Sequence, residues 1–218
     1  MSFLVRKQKL ESKFTHVYRK NLFEGTVSLS GNGSDLQQTR ELAVALPKLI
    51  KTLNIHSILD VPCGDLYWMS KIDLGDTTYI GADIVRDVVV SNIHNYGNDL
   101  RTFIEFDLSK QVPPKVDLVF CRDLFVHLTT RDIQSSLRNI AKSGSLYLAT
   151  TTFSNNRKYR NLKRFTRGVG WRAINFEIEP WNFPKPLYLI NEKCTEANGL
   201  FSDKSIGVWL ISELRNKY

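Results

Sequence analysis

Between residues 57 and 153, short apolar stretches rich in β-branched and aromatic residues alternate with segments of helical length. The apolar stretches are SILDV (57–61), TYIGAD (78–83), TFIEFD (102–107), VDLVF (116–120) and SLYLATTTF (145–153). Strands of parallel sheets have this character, because helices bury both of their faces. The alternation therefore predicts βαβ units and an α/β fold, with a doubly wound parallel sheet and helices on both faces.

The segments that flank these strands carry recognisable helix signals. Ser34 or Asp35 can cap a helix that we expect to end near Asn54, and Thr129 can cap another. Residues 1–24 mix Lys and Arg with apolar side chains at helical spacing. This spacing predicts one or two amphipathic helices that lie across the main body.

The carboxyl-terminal part of the chain lacks this alternation. WNFPKPLYLI (181–190) is a candidate strand after two prolines, and SIGVWLISEL (205–214) is an apolar final strand. Because only residues 191–204 connect them, we expect the two strands to pair antiparallel. The predicted sheet is thus mostly parallel, with an antiparallel carboxyl-terminal hairpin.

Length and composition indicate a single globular domain. The chain has 218 residues, of which 42% are hydrophobic, enough for one sizeable core. It has no run near the roughly 18 apolar residues of a membrane span, and its charged first residues are unlike a signal peptide. Cys63, Cys121 and Cys194 lack the spacing of a disulfide framework or a zinc site. We therefore expect a cytoplasmic protein without a membrane span.

The positive charge of the chain is concentrated in one segment. The net charge is +8, and residues 154–172 (SNNRKYRNLKRFTRGVGWR) contain seven Lys or Arg and no acid. Tyr159, Phe165 and Trp171 interleave with these cations, as in proteins that stack bases and neutralise phosphates. The segment indicates nucleic acid as a candidate partner, and a solvated loop without a specific role is the alternative.

Acidic residues follow three successive predicted strands. Asp60 ends the first strand, Asp83 the second and Asp107 the third. Ligands of an open α/β sheet bind at these carboxyl ends, where an acid after the second strand accepts ribose hydroxyls. Pro62 stands where a dinucleotide site has a glycine, and Asp65 would repel a phosphate. The set favours a cationic nucleoside without phosphate, although each Asp alone can be a helix cap.

The same stretches resemble the motifs of a known superfamily. ILDVPCGD, YIGAD, FIEFD and DLVFCRDLFVHL are similar, in order and spacing, to motifs one to four of class I S-adenosylmethionine-dependent methyltransferases. The resemblance implies a Rossmann-like seven-stranded sheet, S-adenosylmethionine as cofactor and S-adenosylhomocysteine as product. The implied cofactor-binding residues are Gly31, Gly33, Ser34, Asp60, Pro62, Gly64, Asp83, Ile84, Asp107, Leu108 and Arg122. Motif one departs from the family pattern, since Pro62 and Leu66 replace two of its glycines.

The resemblance also implies a role for each part of this site. Asp60 and Gly64 would shape the methionine pocket, and Asp83 would hold the ribose hydroxyls. Asp107 with the next residue would place the adenine. The loop 31–34 would close over the amino acid end of the cofactor, and a plain turn before the next helix is the alternative.

Several short blocks narrow the resemblance further. They are the GxGS loop (31–34), PCGD (62–65) with Trp68, CRDxxVH (121–127), and the WR and NFPKP blocks (171–172 and 182–186). The blocks resemble a small group that includes the sugar methyltransferase modules of chlorovirus glycan-building proteins. This resemblance implies O-methylation of a glycan hydroxyl, with rhamnose as the expected sugar. It also implies a viral protein of the host cytoplasm, as a module of a larger glycosyltransferase fusion. RNA methylation through the segment 154–172 is the alternative function.

Asp123 and His127 follow the fourth strand four residues apart, which predicts that they share one face of a helical turn. A sugar hydroxyl needs a base, and histidine is the most frequent one because its pKa lies near neutrality. We predict His127 as the base, with Asp123 orienting it or the substrate. The alternative is a packed His127 between Val126 and Leu128, with Asp123 paired to Arg122. The sequence shows no carboxylate cluster that would hold a divalent metal, and the metal dependence of the reaction stays open at this point.

Aromatic and amide side chains near the carboxyl-terminal blocks suit a carbohydrate, whose C–H face packs on aromatic rings and whose hydroxyls bind forked donors. The predicted substrate residues are Trp68, Trp171, Arg172, Asn182 and Lys185. The chain is then one methyltransferase domain with four parts. These are an N-terminal helical cap (1–54), a cofactor-binding core (55–153), a basic substrate-side insertion (154–186) and a carboxyl-terminal hairpin (187–218).

Overall fold

A computed structural model describes residues 9–154, 164–166 and 169–214 of the chain. The strands are β1 (Ser57–Asp60), β2 (Thr78–Asp83), β3 (Arg101–Glu105), β4 (Leu118–Cys121), β5 (Tyr147–Phe153), β6 (Arg164–Thr166), β7 (Val169–Trp171), β8 (Tyr188–Asn191) and β9 (Lys204–Leu210). The helices are α1 (Lys9–Arg19), α2 (Leu36–Thr52), α3 (Arg86–Tyr96), α4 (Thr130–Lys142), α5 (Glu196–Gly199) and α6 (Ile211–Leu214). Short 3₁₀ helices span Asn32–Ser34, Met69–Lys71 and Phe125–His127.

Seven strands form one sheet in the order β3-β2-β1-β4-β5-β9-β8. The pairings among β1 to β5 are all parallel, whereas β9 runs antiparallel to both β5 and β8. The predicted doubly wound sheet with an antiparallel carboxyl-terminal hairpin is therefore confirmed. The strand order reverses between β1 and β4, so a ligand is expected where these two strands end. A separate ladder pairs β6 with β7.

Two apolar clusters form the core on opposite faces of the sheet, because successive strand residues point to alternate sides. Leu59 of β1 packs in one cluster with Ile133 of α4. Its neighbour Ile58 packs in the other cluster with Leu42 of α2. Helices thus cover both faces, as the alternating sequence pattern predicts.

The helix signals of the sequence correspond to real caps. The Asp35 carboxylate accepts a hydrogen bond from the Gln38 backbone N–H at the start of α2. The Thr129 hydroxyl accepts one from the Asp132 backbone N–H at the start of α4. Helix α1 packs its apolar side against the core through Phe14, and residues 1–8 of the predicted amphipathic segment lie outside the described residues.

One predicted strand differs from that in the structure. The final strand ends at Leu210 instead of continuing to residue 214, because Ile211–Leu214 turn into a helix that buries its apolar ends in the core. The other predicted strand is confirmed after its two prolines, as β8 (Tyr188–Asn191). The prolines lack the N–H that a ladder requires, and Trp181 before them packs into the core.

None of the described helices is both long and apolar enough to cross a membrane.

Candidate active site

A cavity of about 420 Å³ lies at the carboxyl ends of β1, β2 and β4, where the strand order reverses. Many of the predicted site residues line it, although they come from distant parts of the sequence. These are Gly31, Gly33, Ser34, Asp60, Pro62, Gly64, Trp68, Asp83, Ile84, Arg122, Asp123, His127 and Trp171. A smaller cavity of about 30 Å³ is lined by Asp107 and Leu108 and shares Asp83 and Ile84 with the large one. The predicted adenine residues therefore adjoin the predicted ribose residue.

Three predicted substrate residues line neither cavity. Arg172 is buried, and its guanidinium donates to the Leu128 carbonyl at 3.3 Å and to the Thr130 hydroxyl at 3.2 Å. Asn182 and Lys185 are exposed. They flank aromatic residues that are packed into the sheet core, which holds this segment away from the cavity. The structure thus places these three residues outside both cavities.

The loop before α2 is held against the turn after β1 by Asp65. The Asp65 carboxylate accepts from the Ser28 hydroxyl at 2.9 Å, from the Leu29 backbone N–H at 2.7 Å and from the Ser30 hydroxyl at 3.3 Å. Gly64 has a φ of +54°, and a Cβ there would overlap the Ser30 hydroxyl. Asp65 therefore orders the wall of the cavity, a role for which the sequence holds no local signal.

Asp60 and Asp83 are buried carboxylates at the ends of β1 and β2. The Tyr79 hydroxyl donates to Asp60 at 2.6 Å, and the Gly64 backbone N–H donates to Asp83 at 3.1 Å. Burial raises the pKa of Asp60 to about 7 and that of Asp83 to about 6. A ligand that carries positive charge or donates hydroxyl hydrogen bonds would favour the ionised form of both groups.

Four charged side chains form a network at the end of β4, where Arg122, Glu192 and Lys204 are buried and Asp123 is partly exposed. Arg122 pairs with Glu192 at 2.6 Å and with Asp123 at 3.3 Å. Lys204 pairs with Asp123 at 2.6 Å and with Glu192 at 3.6 Å. The two cations and two anions balance, and Arg122 also donates to the Gly33 carbonyl at 2.8 Å. The network thus links the loop before α2 to strands β4 and β9.

Asp123 is oriented by Lys204, whereas its position in the sequence predicted that it would orient His127 or the substrate. Asp123 lies in a left-handed turn with a φ of 56°, before the 3₁₀ helix that contains His127, so the two do not share a regular helical turn. Burial opposes ionisation of Asp123, but the cations of Lys204 and Arg122 outweigh it and hold the pKa of Asp123 well below its usual range. Asp123 is therefore a poor base, and its alternative pairing with Arg122 is present.

His127 is fixed by a backbone contact from β7. Its Nδ1 lies 2.9 Å from the carbonyl oxygen of Gly170. A carbonyl oxygen only accepts, so Nδ1 carries the proton and Nε2 keeps a lone pair. Burial lowers the pKa of His127, which keeps the ring neutral near pH 7. The Phe23 ring packs against it at a centroid distance of 5.2 Å.

Three aromatic rings form a continuous surface at one part of the cavity. Phe153, Trp171 and Phe201 contact one another at centroid distances of 5.8, 6.0 and 4.7 Å. They pack against Val126, the neighbour of His127. Phe153 and Phe201 lacked any local sequence signal, because they come from β5 and from the connection before β9.

Helix α1 and the residues after it cover another side of the cavity with Phe14, Tyr18 and Phe23. Arg19 at the end of α1 pairs with Asp87 of α3 at 2.8 Å, on the surface. Among the residues that the structure describes, no three His, Cys, Asp or Glu side chains converge as a metal site requires.

The sequence matches no protein-family model and no curated protein. Several solved methyltransferases nevertheless share the fold. The 1,6-didemethyltoxoflavin-N1-methyltransferase of Burkholderia thailandensis is 14% identical with a TM-score of 0.64, over 96% of this chain and 90% of that one. The methyltransferase domain of bacterial CtHen1 is 13% identical with a TM-score of 0.58, and the match covers 81% of this chain and 98% of that domain. Magnesium protoporphyrin IX methyltransferase of Synechocystis PCC 6803 is 18% identical with a TM-score of 0.55, over 80% and 78%.

These likenesses define the class of the fold. The chain has the Rossmann-like fold of S-adenosylmethionine-dependent methyltransferases, and its cavity lies at the switch point of the sheet.

Proposed function

We propose that the chain is an S-adenosylmethionine-dependent methyltransferase that methylates a hydroxyl group of a carbohydrate. The observation that carries the proposal is the set of side chains that line one cavity. Two buried acids, Asp60 and Asp83, lie at the ends of β1 and β2, and a neutral histidine, His127, lies beyond β4. The first pair suits a cationic nucleoside, and the histidine suits the removal of a hydroxyl proton.

The residues of the cavity fit S-adenosylmethionine. Its volume of about 420 Å³ lies within the range of small-molecule sites. Asp83 would hold the ribose hydroxyls, Asp60 and Gly64 would border the methionine part, and Asp107 with Leu108 would flank the adenine. The likeness to proteins crystallised with this cofactor or with S-adenosylhomocysteine supports the assignment.

When bound, the cofactor supplies a methyl group on a positively charged sulfur. Transfer would form a bond from the acceptor oxygen to this methyl carbon and break the bond from carbon to sulfur, whose electron pair would stay on sulfur. His127 accepts the hydroxyl proton on Nε2, because Nδ1 is occupied by its bond to the Gly170 carbonyl. Asp123 does not compete for the proton, since its pairing with Lys204 keeps it ionised and weakly basic.

The aromatic surface supports a sugar as the acceptor. Phe153, Trp171 and Phe201 meet edge to face or tilted, so no two of these rings form a parallel slot for a flat ring. Such a composite surface suits the C–H face of a sugar, and Lys204 and Asp123 nearby offer a donor and an acceptor to hydroxyls. The resemblance to the chlorovirus group suggests rhamnose within a glycan.

RNA is the competing acceptor. Its sequence argument rests on the basic segment 154–172, of which residues 155–163 and 167–168 lie outside the described residues. The likeness to the CtHen1 domain concerns the fold and does not identify the acceptor of this chain.

The decisive experiment is transfer of labelled methyl from S-adenosylmethionine to a rhamnose-terminated oligosaccharide and, in parallel, to structured RNA. We expect label in the sugar, and label in RNA alone would contradict the proposed acceptor. A parallel reaction with EDTA tests for a divalent metal, since loss of transfer would indicate one.

A matched pair of variants assigns the base. His127→Gln should lower kcat by about 100-fold or more, because a positioned general base contributes on the order of 10²–10⁴-fold. The exposed His94→Gln should leave kcat unchanged. Full turnover by His127→Gln with normal cofactor binding would exclude His127 as the base.

A further inference from the structure

Glu196 reaches the large cavity from the connection between β8 and β9. This connection is fixed to the start of α2 by a reciprocal contact. The Gln38 amide donates to the Thr195 hydroxyl at 2.7 Å, and the Thr195 backbone N–H donates to the Gln38 amide oxygen at 3.0 Å. Ala197, which follows Glu196, has a left-handed φ of 50° and turns the chain sharply. Glu196 is therefore held in place by its neighbours.

The carboxylate of Glu196 lies against the loop 31–34. A Cβ on Gly33 would be 3.2 Å from Glu196 Oε2, so any larger residue at position 33 would press on this oxygen. Gly33 also contributes its carbonyl to Arg122 at 2.8 Å. Glu196 and the charge network thus meet at the same part of the cavity.

Glu196 differs from Glu192 and Asp123 of the charge network, because no cation among the described residues forms an ion pair with its carboxylate. No Lys, Arg or His among them lies within ion-pair distance of its carboxylate, and its one hydrogen bond comes from the Cys194 thiol at 3.6 Å. Glu192 and Asp123 are neutralised by Arg122 and Lys204. Arg122 attracts Glu196 without forming an ion pair with it, and a partly buried carboxylate that lacks a directly bound cation favours a ligand that brings one.

We infer that Glu196 binds the α-ammonium group of the cofactor, an inference that rests on the proposed function. S-adenosylmethionine carries two positive groups, a sulfonium without hydrogen-bond donors and a primary ammonium with three. Only the ammonium can donate hydrogen bonds to a carboxylate. Asp83 at the end of β2 takes the ribose, and Glu196 borders the loop 31–34 at the end of β4, where the amino acid part would extend.

The test compares three ligands that differ only in the amino acid end. S-adenosylhomocysteine has both the ammonium and the carboxylate, decarboxylated S-adenosylhomocysteine keeps the ammonium, and methylthioadenosine has neither. Their Kd values are measured by calorimetry on the wild type, Glu196→Gln and the control Glu213→Gln, which changes an exposed acid. Thermal unfolding of each variant is recorded in parallel.

Glu196→Gln should weaken the first two ligands on the order of 10- to 100-fold, as expected for a hydrogen bond between charged groups, and should leave methylthioadenosine within about twofold. Glu213→Gln should change none of them. Equal weakening of all three ligands, or unchanged binding of S-adenosylhomocysteine, would overturn the inference while leaving the proposed function intact. If the wild type binds none of the three, the proposed function itself fails.

Discussion

Lys204→Met should destabilise the protein, because it removes one cation from the buried charge network. Lys204 lies 2.6 Å from Asp123 and 3.6 Å from Glu192. In the variant, Glu192 would still have Arg122 as a partner at 2.6 Å, whereas Asp123 would have Arg122 only at 3.3 Å. Breaking a buried pair costs about 3–5 kcal/mol, and we expect the lower end because the Asp123 side chain is 28% exposed.

A loss of about 3 kcal/mol corresponds to a decrease in Tm of about 6–12 °C for a chain of this size. Chemical denaturation at pH 7 measures the free energy of unfolding directly. The control is Lys193→Met, which removes a surface pair to Glu41 at 3.4 Å and should cost less than about 1 kcal/mol.

A double variant separates charge from packing. Asp123→Asn removes the stranded charge and tolerates the left-handed backbone at this position. Added to Lys204→Met, it should restore about 1–2 kcal/mol of the free energy of unfolding.

The pairing with Lys204 lowers the pKa of Asp123, so the contribution of this pair to stability depends on pH. The contribution is complete above the unfolded pKa near 3.9 and is lost as the pH falls through the folded pKa. If Lys204→Met unfolds like the wild type at pH 7, the network does not stabilise the fold and the reasoning is refuted.

Three further outcomes test the site. Asp83→Asn should weaken S-adenosylhomocysteine about 10-fold or more by calorimetry, with the exposed Asp76→Asn unchanged, and equal affinities would exclude Asp83 as a ribose ligand. Phe201→Ala should raise KM for the sugar about fivefold without changing KM for the cofactor, whereas the neighbouring exposed Leu200→Ala should change neither. In a pH profile at saturating cofactor and sugar, kcat should fall with acidity through a pKa below 6.5, since burial lowers the pKa of His127 and only the neutral ring accepts a proton. The test uses kcat because the bound cofactor keeps Asp60 and Asp83 ionised, and an acid limb of kcat above 6.5 would contradict the assignment.

Local patterns were sufficient to predict the parallel part of the fold. Each strand from β1 to β5 is a short apolar run, and Asp35 and Thr129 cap their helices with side chains three residues from their partners. Asp60 and Asp83 were predictable for the same reason, since the end of a strand places them at the ligand edge. The last apolar run was ambiguous, because periodicity does not separate a strand from a short buried helix such as Ile211–Leu214.

The rest of the site depends on contacts between distant residues. Arg122 and Glu192 are 70 positions apart, and Asp123 and Lys204 are 81 apart. No local period or spacing reports such pairs, so Asp123 was assigned to the nearby His127. The contribution of the connection between β8 and β9, including Glu196 and Phe201, was missed for the same reason.

The pairing of Asp123 with Lys204 has a consequence for catalysis under the proposed function. Positive charge leaves the sulfur as the methyl group is transferred, so a free carboxylate nearby would stabilise the reactants more than the transition state. Neutralisation of Asp123 by Lys204 removes that penalty and leaves proton removal to His127, which is uncharged at neutral pH. The charge network therefore supports turnover as well as the fold. We expect Asp123→Asn to lower the free energy of unfolding by more than it raises the activation free energy calculated from kcat.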